Sequence, residues 1–192
     1  LLDAAKEVFE ENGFLDARIS DISERAGLSH GSFYHYFDSK EEIFREVAAA
    51  VDDELSEPLS TVILAPSSTA TPRERIREAM RRHFESYRDE ARIMGVIEQV
   101  ARYDEHVSAM RRARHEEQRA TVADSIRRLQ RRGLVDPTLD PVIAAAALGA
   151  MTWRFAEMWL VEGVLECSYD EGIEQVTTLF VNALQLKDQP SS

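Results

Sequence analysis

The chain has 192 residues, 44% hydrophobic and 30% charged, with a net charge of −12. That length and balance predict a globular protein able to bury a core and exclude a disordered chain. The single cysteine, Cys167, excludes an internal disulfide and any all-cysteine metal cage, as expected of a protein kept in a reducing cytosol.

The apolar spacing of Leu1, Leu2, Ala5, Val8 and Phe9 predicts a first helix that stops at Gly13. Ile19, Ile22, Ser23 and Ala26 carry a short second helix ended by Gly27. Ser29 caps a third, held by Phe33 and Phe37 on its inner face. Asp38 with Glu41, or Ser39 with Glu42, reads as a capping box that opens a fourth helix through Ile43, Val47 and past Val51. The Pro, Ser and Thr of residues 65–72 read as a loop. Beyond it, Ile76 to Asp89, Ile93 to Tyr103 and Glu105 to Arg132 read as three further helices, the last closed by Gly133. Val142 to Val164 is apolar on most faces, and Ile173 to Leu184 forms an amphipathic final helix ahead of a polar tail. No alternating strand pattern occurs, so the fold class is all-α: a three-helix helix-turn-helix domain at residues 1–46, then a larger helical domain at 47–192.

A helix ended at Gly27, a short turn and a helix capped at Ser29 is the arrangement that presents a helix end to the DNA major groove. Residues 1–46 carry a local balance of −6, which opposes contact with nucleic acid. Phosphate contact needs only one favourable face, however, and no carboxylate lies between Glu24 and Asp38. His30, Ser32 and His35 are hydrogen-bonding groups suited to base edges, and Gly31 permits close backbone approach. Tyr34, Tyr36 and Lys40 can donate to phosphates, as can the amides that start the third and fourth helices.

In order, GF at Gly13, DIS and RAG around Gly27, LSHGSFYHYF and SKEEIF resemble the N-terminal domain of tetracycline-repressor (TetR) type bacterial regulators. The resemblance covers residues 1–47; the rest is similar to that family only in helix layout. It implies a homodimer that joins through its last two helices, reads a pseudo-palindromic double-stranded operator and responds to a small-molecule effector. It also implies DNA contacts at Ser29, His30, Ser32, Tyr34, His35, Tyr36 and Lys40. Arg18 stands where relatives commonly place a capping Thr and is expected to reach a phosphate, and Ser23 replaces a usual Ala.

The arginines from Arg111 to Arg132 read as a solvated, ion-paired face. Phe84, Tyr87, Met94, Ile97, Met110, Trp153, Met158 and Trp159 are the candidates to line a pocket for an apolar or aromatic effector. Arg154 and Glu157, inside the apolar helix, are candidates for a polar contact in that pocket or across the dimer. No cofactor, metal site, membrane segment or catalytic signature is expected, and a cytoplasmic location is. The expected function is a ligand-responsive transcriptional regulator that acts by repression. The alternative is a helical small-molecule-binding or adaptor protein that does not use its helix-turn-helix on DNA.

Overall fold

The computed structural model describes residues 1–64 and 70–187, with side chains described outside 56–64. Most of the expected 65–72 loop and the tail after Lys187 lie outside the described residues. Among the described residues nine α-helices follow in order: α1 (Leu2–Asp16), α2 (Ile19–Arg25), α3 (His30–Phe33), α4 (Lys40–Leu64), α5 (Pro72–Asp89), α6 (Ala91–Ala101), α7 (Glu105–Arg131), α8 (Pro141–Ala156) and α9 (Tyr169–Ala183). A single π-helical stretch, Glu157–Val161, extends α8. Every regular element among the described residues is helical, and no described helix is long and apolar enough to cross a membrane.

The chain forms two compact units, one of residues 1–53 and 90–113, the other of 54–89 and 114–192. The chain passes from one unit to the other inside α4, between α5 and α6, and inside α7.

In the first unit, Phe9, Phe14 and Phe44 form an aromatic triad with ring centroids 4.9 to 6.0 Å apart, which fixes α1 against α4. Gly13 sits at φ +71°, so the helix breaks there, and Phe14 turns back into the core. Arg25 makes a two-pronged pair with Glu11 at 2.6 Å, tying α2 to α1. Capping at α4 follows the second of the two expected pairings. The Glu42 amide donates to the Ser39 hydroxyl at 3.1 Å, while the Glu42 carboxylate accepts from the Asp38 amide at 2.6 Å. Met94 and Ile97 of α6 are fully buried in this unit's core.

In the second unit, α5 and α9 pack together. Arg73 and Arg77 both reach Glu174, and Arg81 reaches Asp170. Trp159 lies against Phe84, Phe155 and Tyr169 at 5.4 to 5.8 Å. Gly172 leaves the room this indole needs, since a Cβ there would come within 2.7 Å of it.

Four of the arginines in 111–132 have acidic partners: Arg111 with Glu98, Arg112 with Glu105, Arg119 with Glu116 and Arg127 with Asp124. Arg111 departs from the expected solvated face, because it is buried in the first unit near Glu98 and Asp52.

Candidate functional site

The turn between α2 and α3 is built by Gly27. Its φ of +68° is a left-handed conformation that costs glycine little. It allows the Leu28 amide to reach Ser23 O at 2.9 Å and the Gly27 amide to reach Glu24 O at 3.0 Å, which together satisfy the end of α2. Ser29 then stands extended, and its hydroxyl accepts from the Ser32 amide at 3.2 Å. The third helix is therefore one capped turn, continued by turns through Phe37.

Phe33 anchors that turn, fully buried and 6.0 Å from Phe37. With this side chain inward, Tyr34 and Tyr36 are left 48% and 66% exposed, and Ser29, His30, Gly31 and His35 are exposed beside them. Ser32 is half-buried, its amide already used by the cap. The Tyr34 ring is held edge-on by Phe33 and His30 at 5.4 and 5.5 Å, so this aromatic is positioned before any partner arrives. Arg18 precedes α2 in extended backbone, exposed, with no side-chain cap bond to the helix. Ser23 is buried, and its hydroxyl has no hydrogen-bond partner among the described residues.

Lys40 has a structural task. Its ammonium donates to Phe14 O at 2.7 Å, Ala17 O at 2.9 Å and Leu15 O at 3.1 Å, and lies 4.7 Å from the Phe14 ring centroid. All three donors thus end on the carbonyls that close α1, and a phosphate would have to displace one of them. Lys40→Met keeps the stem and removes the donors. It should lower the stability of the DNA-free protein by about 2 kcal/mol, at roughly 1 kcal/mol or less per hydrogen bond lost. Urea denaturation measures this, and an unchanged midpoint would show that the ammonium is not held there.

The second unit contains a cavity of about 220 Å³ among α5, α7, α8 and α9, lined by Met80, His115, Gln118, Arg119, Val122, Ala145, Ala146, Leu148, Gly149, Ala150, Thr152, Trp153 and Phe180. Of the eight residues expected to line a pocket, Trp153 does so. Phe84, Tyr87 and Trp159 are buried in an aromatic cluster beyond the cavity wall, and Met158 is half-buried on the π-helical stretch. Met94, Ile97 and Met110 belong to the first unit, where Met94 and Ile97 serve the core and Met110 is half-buried. The reading missed the small residues Ala145, Ala146 and Gly149. Their run on α8 is the signal that space is left beside the helix.

Arg154 and Glu157 are not awkwardly buried. Arg154 is exposed and pairs with Glu157 and Glu162 at 2.7 Å, with neither acid among the cavity residues.

Residues 1–47 match the family model for bacterial regulatory proteins of the tetR family. The chain is 51% identical to the HTH-type transcriptional regulator YdgC of Bacillus subtilis over 47 residues, a match that spans 24% of each chain. It is 27% identical to the HTH-type transcriptional repressor KstR2 of Mycobacterium tuberculosis over 163 residues, 80% of this chain and 76% of that one. The solved structure of SmeT, the repressor of the Stenotrophomonas maltophilia multidrug efflux pump SmeDEF, superposes with a TM-score of 0.76 at 24% identity, covering 97% of this chain and 89% of that one. The N-terminal 47 residues are thus a domain of the tetR type, and the chain as a whole shares its fold with SmeT along nearly its full length.

Proposed function

We propose that the protein is a repressor that binds a pseudo-palindromic operator as a homodimer and is released by a small apolar or aromatic effector. The observation that carries the reading is the surface left by burying Phe33: two exposed tyrosines, Tyr34 held edge-on beforehand, and two histidines on a capped turn, in a stretch without carboxylates from Arg25 to Phe37. His30, Ser32 and His35 take the base-facing role. Tyr34, Tyr36, Arg18 and the Ser29 and Gly31 backbone face phosphates. Lys40 joins them only by giving up a carbonyl.

The exposed faces of α8 and α9 support pairing of two copies. Ile143 is 71% exposed, Ala147 and Ala150 continue its stripe at helical spacing, and Leu179 on α9 is 53% exposed. Effector binding in the 220 Å³ cavity then acts by favouring one of two states of the dimer, an effect limited to the effector's difference in affinity for the two.

Titration of labelled DNA from upstream of the protein's own gene, followed by fluorescence anisotropy at low salt, tests the reading. A saturable complex of two protomers per site, competed by the same duplex and not by a scrambled one, is expected. Binding indistinguishable between the two duplexes would overturn it.

A further inference from the structure

We propose that the cavity of the second unit takes a small aromatic acid, a single ring bearing a carboxylate whose oxygens accept from the Gln118 amide and whose charge is met by Arg119. This rests on the effector reading above and adds the chemical class of the ligand.

Size sets the first limit. An apolar cavity of about 150 Å³ holds benzene. One of about 220 Å³ has room for a ring with a short substituent. The ring has a matching wall in Trp153, whose indole is fixed by His115, His83 and Tyr87 at centroid distances of 4.7, 5.4 and 5.8 Å.

The polar groups set the second limit. Most of the lining is hydrocarbon, from Met80, Val122, Leu148 and Phe180 among others. Into this surface Gln118 contributes an amide nitrogen that is buried and has no acceptor. A buried donor left unmade costs stability, and a ligand oxygen would recover it. Thr152 offers no competing donor, since its hydroxyl proton is committed to Leu148 O at 2.9 Å. Among the described lining residues, Arg119 brings a guanidinium, a fixed positive charge. Its partner Glu116 is two-thirds exposed, so that pair is screened by water and leaves guanidinium N–H groups for a second carboxylate. In a chain with 35 Asp and Glu, no carboxylate among the described residues lines this cavity. A cationic ligand would meet donors and positive charge there. A plain hydrocarbon would leave the Gln118 amide as it is.

Benzoate is the probe, with toluene, benzyl alcohol and benzylamine alongside. Each is titrated into the full chain by calorimetry, while tryptophan emission reports on Trp153 together with Trp159. Benzoate is expected to bind about tenfold or more tighter than benzyl alcohol, and benzylamine not to saturate. Gln118→Leu and Arg119→Gln should each weaken benzoate by about tenfold while leaving toluene unaffected. Gln118→Glu keeps the size but replaces the amide donor with a negative carboxylate, so it should shift the preference to benzylamine. Toluene, benzyl alcohol or benzylamine binding as tightly as benzoate would overturn the acid and leave the cavity as the effector site. A wild type that binds none of the four at millimolar concentration would overturn the acid and the cavity together.

Discussion

Alanine at both Tyr34 and Tyr36 is expected to weaken operator binding by about a hundredfold per half-site while the unfolding midpoint of the DNA-free protein moves little. Both phenols are largely exposed, so truncation removes little buried surface, although Tyr34 gives up its edge contact with Phe33. A hydrogen bond to a charged group is worth about 1.5–3 kcal/mol. Two such bonds to phosphates therefore amount to about 3 kcal/mol or more, and 1.4 kcal/mol is about tenfold in affinity. Tyr34→Phe with Tyr36→Phe retains the ring packing and should show most of the same loss.

Salt dependence separates this contribution from charge. Tyrosine is neutral and displaces no counterion, so the slope of log affinity against log salt should be the same in the tyrosine variant and the wild type. Arg18→Ala should reduce that slope by about 0.9 per half-site, because a cation is lost. Fluorescence anisotropy across a salt series measures both quantities. A tyrosine variant that binds as the wild type does would remove this turn from the interface, and a flattened tyrosine slope would mean that the loss came from a disturbed cation instead.

The N-terminal unit was legible because its signals are local. Gly27, Ser29, Ser39 with Glu42 and the inward Phe33 act within a few residues of themselves, so dihedral preference, capping chemistry and periodicity identify them without knowledge of the rest of the chain. Lys40 was half legible. Its place on the exposed edge of the motif is a matter of sequence, but the three carbonyls it holds come from residues 23 to 26 positions earlier and exist only once α1 has turned at Gly13. The cavity was barely legible. Helical spacing identifies apolar faces, and it assigned Met94 and Ile97 to a pocket on the same grounds as Trp153; which face meets a neighbour and which meets empty space is decided by side-chain volume across helices distant in sequence. Large residues fill space, so the aromatic list found the cluster beyond the wall. The void itself is written in Ala145, Ala146 and Gly149, residues that a search for binding groups passes over.

Acid should destabilise the protein well before its carboxylates are neutralised, and His83 is the reason. This imidazole is fully buried in the second unit among Phe84, Tyr87 and Trp153, with Nδ1 3.2 Å from Leu55 O and Nε2 without a partner. Burial pushes its pKa down to about 4 from an ordinary 6.5, against the opposing pull of the Leu55 carbonyl. A folded pKa below the unfolded one means that the unfolded chain takes up a proton which the folded chain refuses. The contribution is therefore complete above pH 6.5 and is lost as pH falls from there towards 4. At 1.36 kcal/mol per pH unit, the loss reaches about 2 kcal/mol by pH 5. Carboxylates held down by hydrogen bonds and ion pairs, such as Asp104, Asp136 and Glu174, give up their contribution only as pH falls through lowered values of their own, beneath that window. His83→Gln retains a donor for Leu55 O and removes the titration. Urea unfolding of the two proteins between pH 7 and 5 should show the wild type losing about 2 kcal/mol more than the variant. Parallel stability curves would mean that His83 is reached by water in the folded state, and the aromatic wall behind Trp153 would then not be dry.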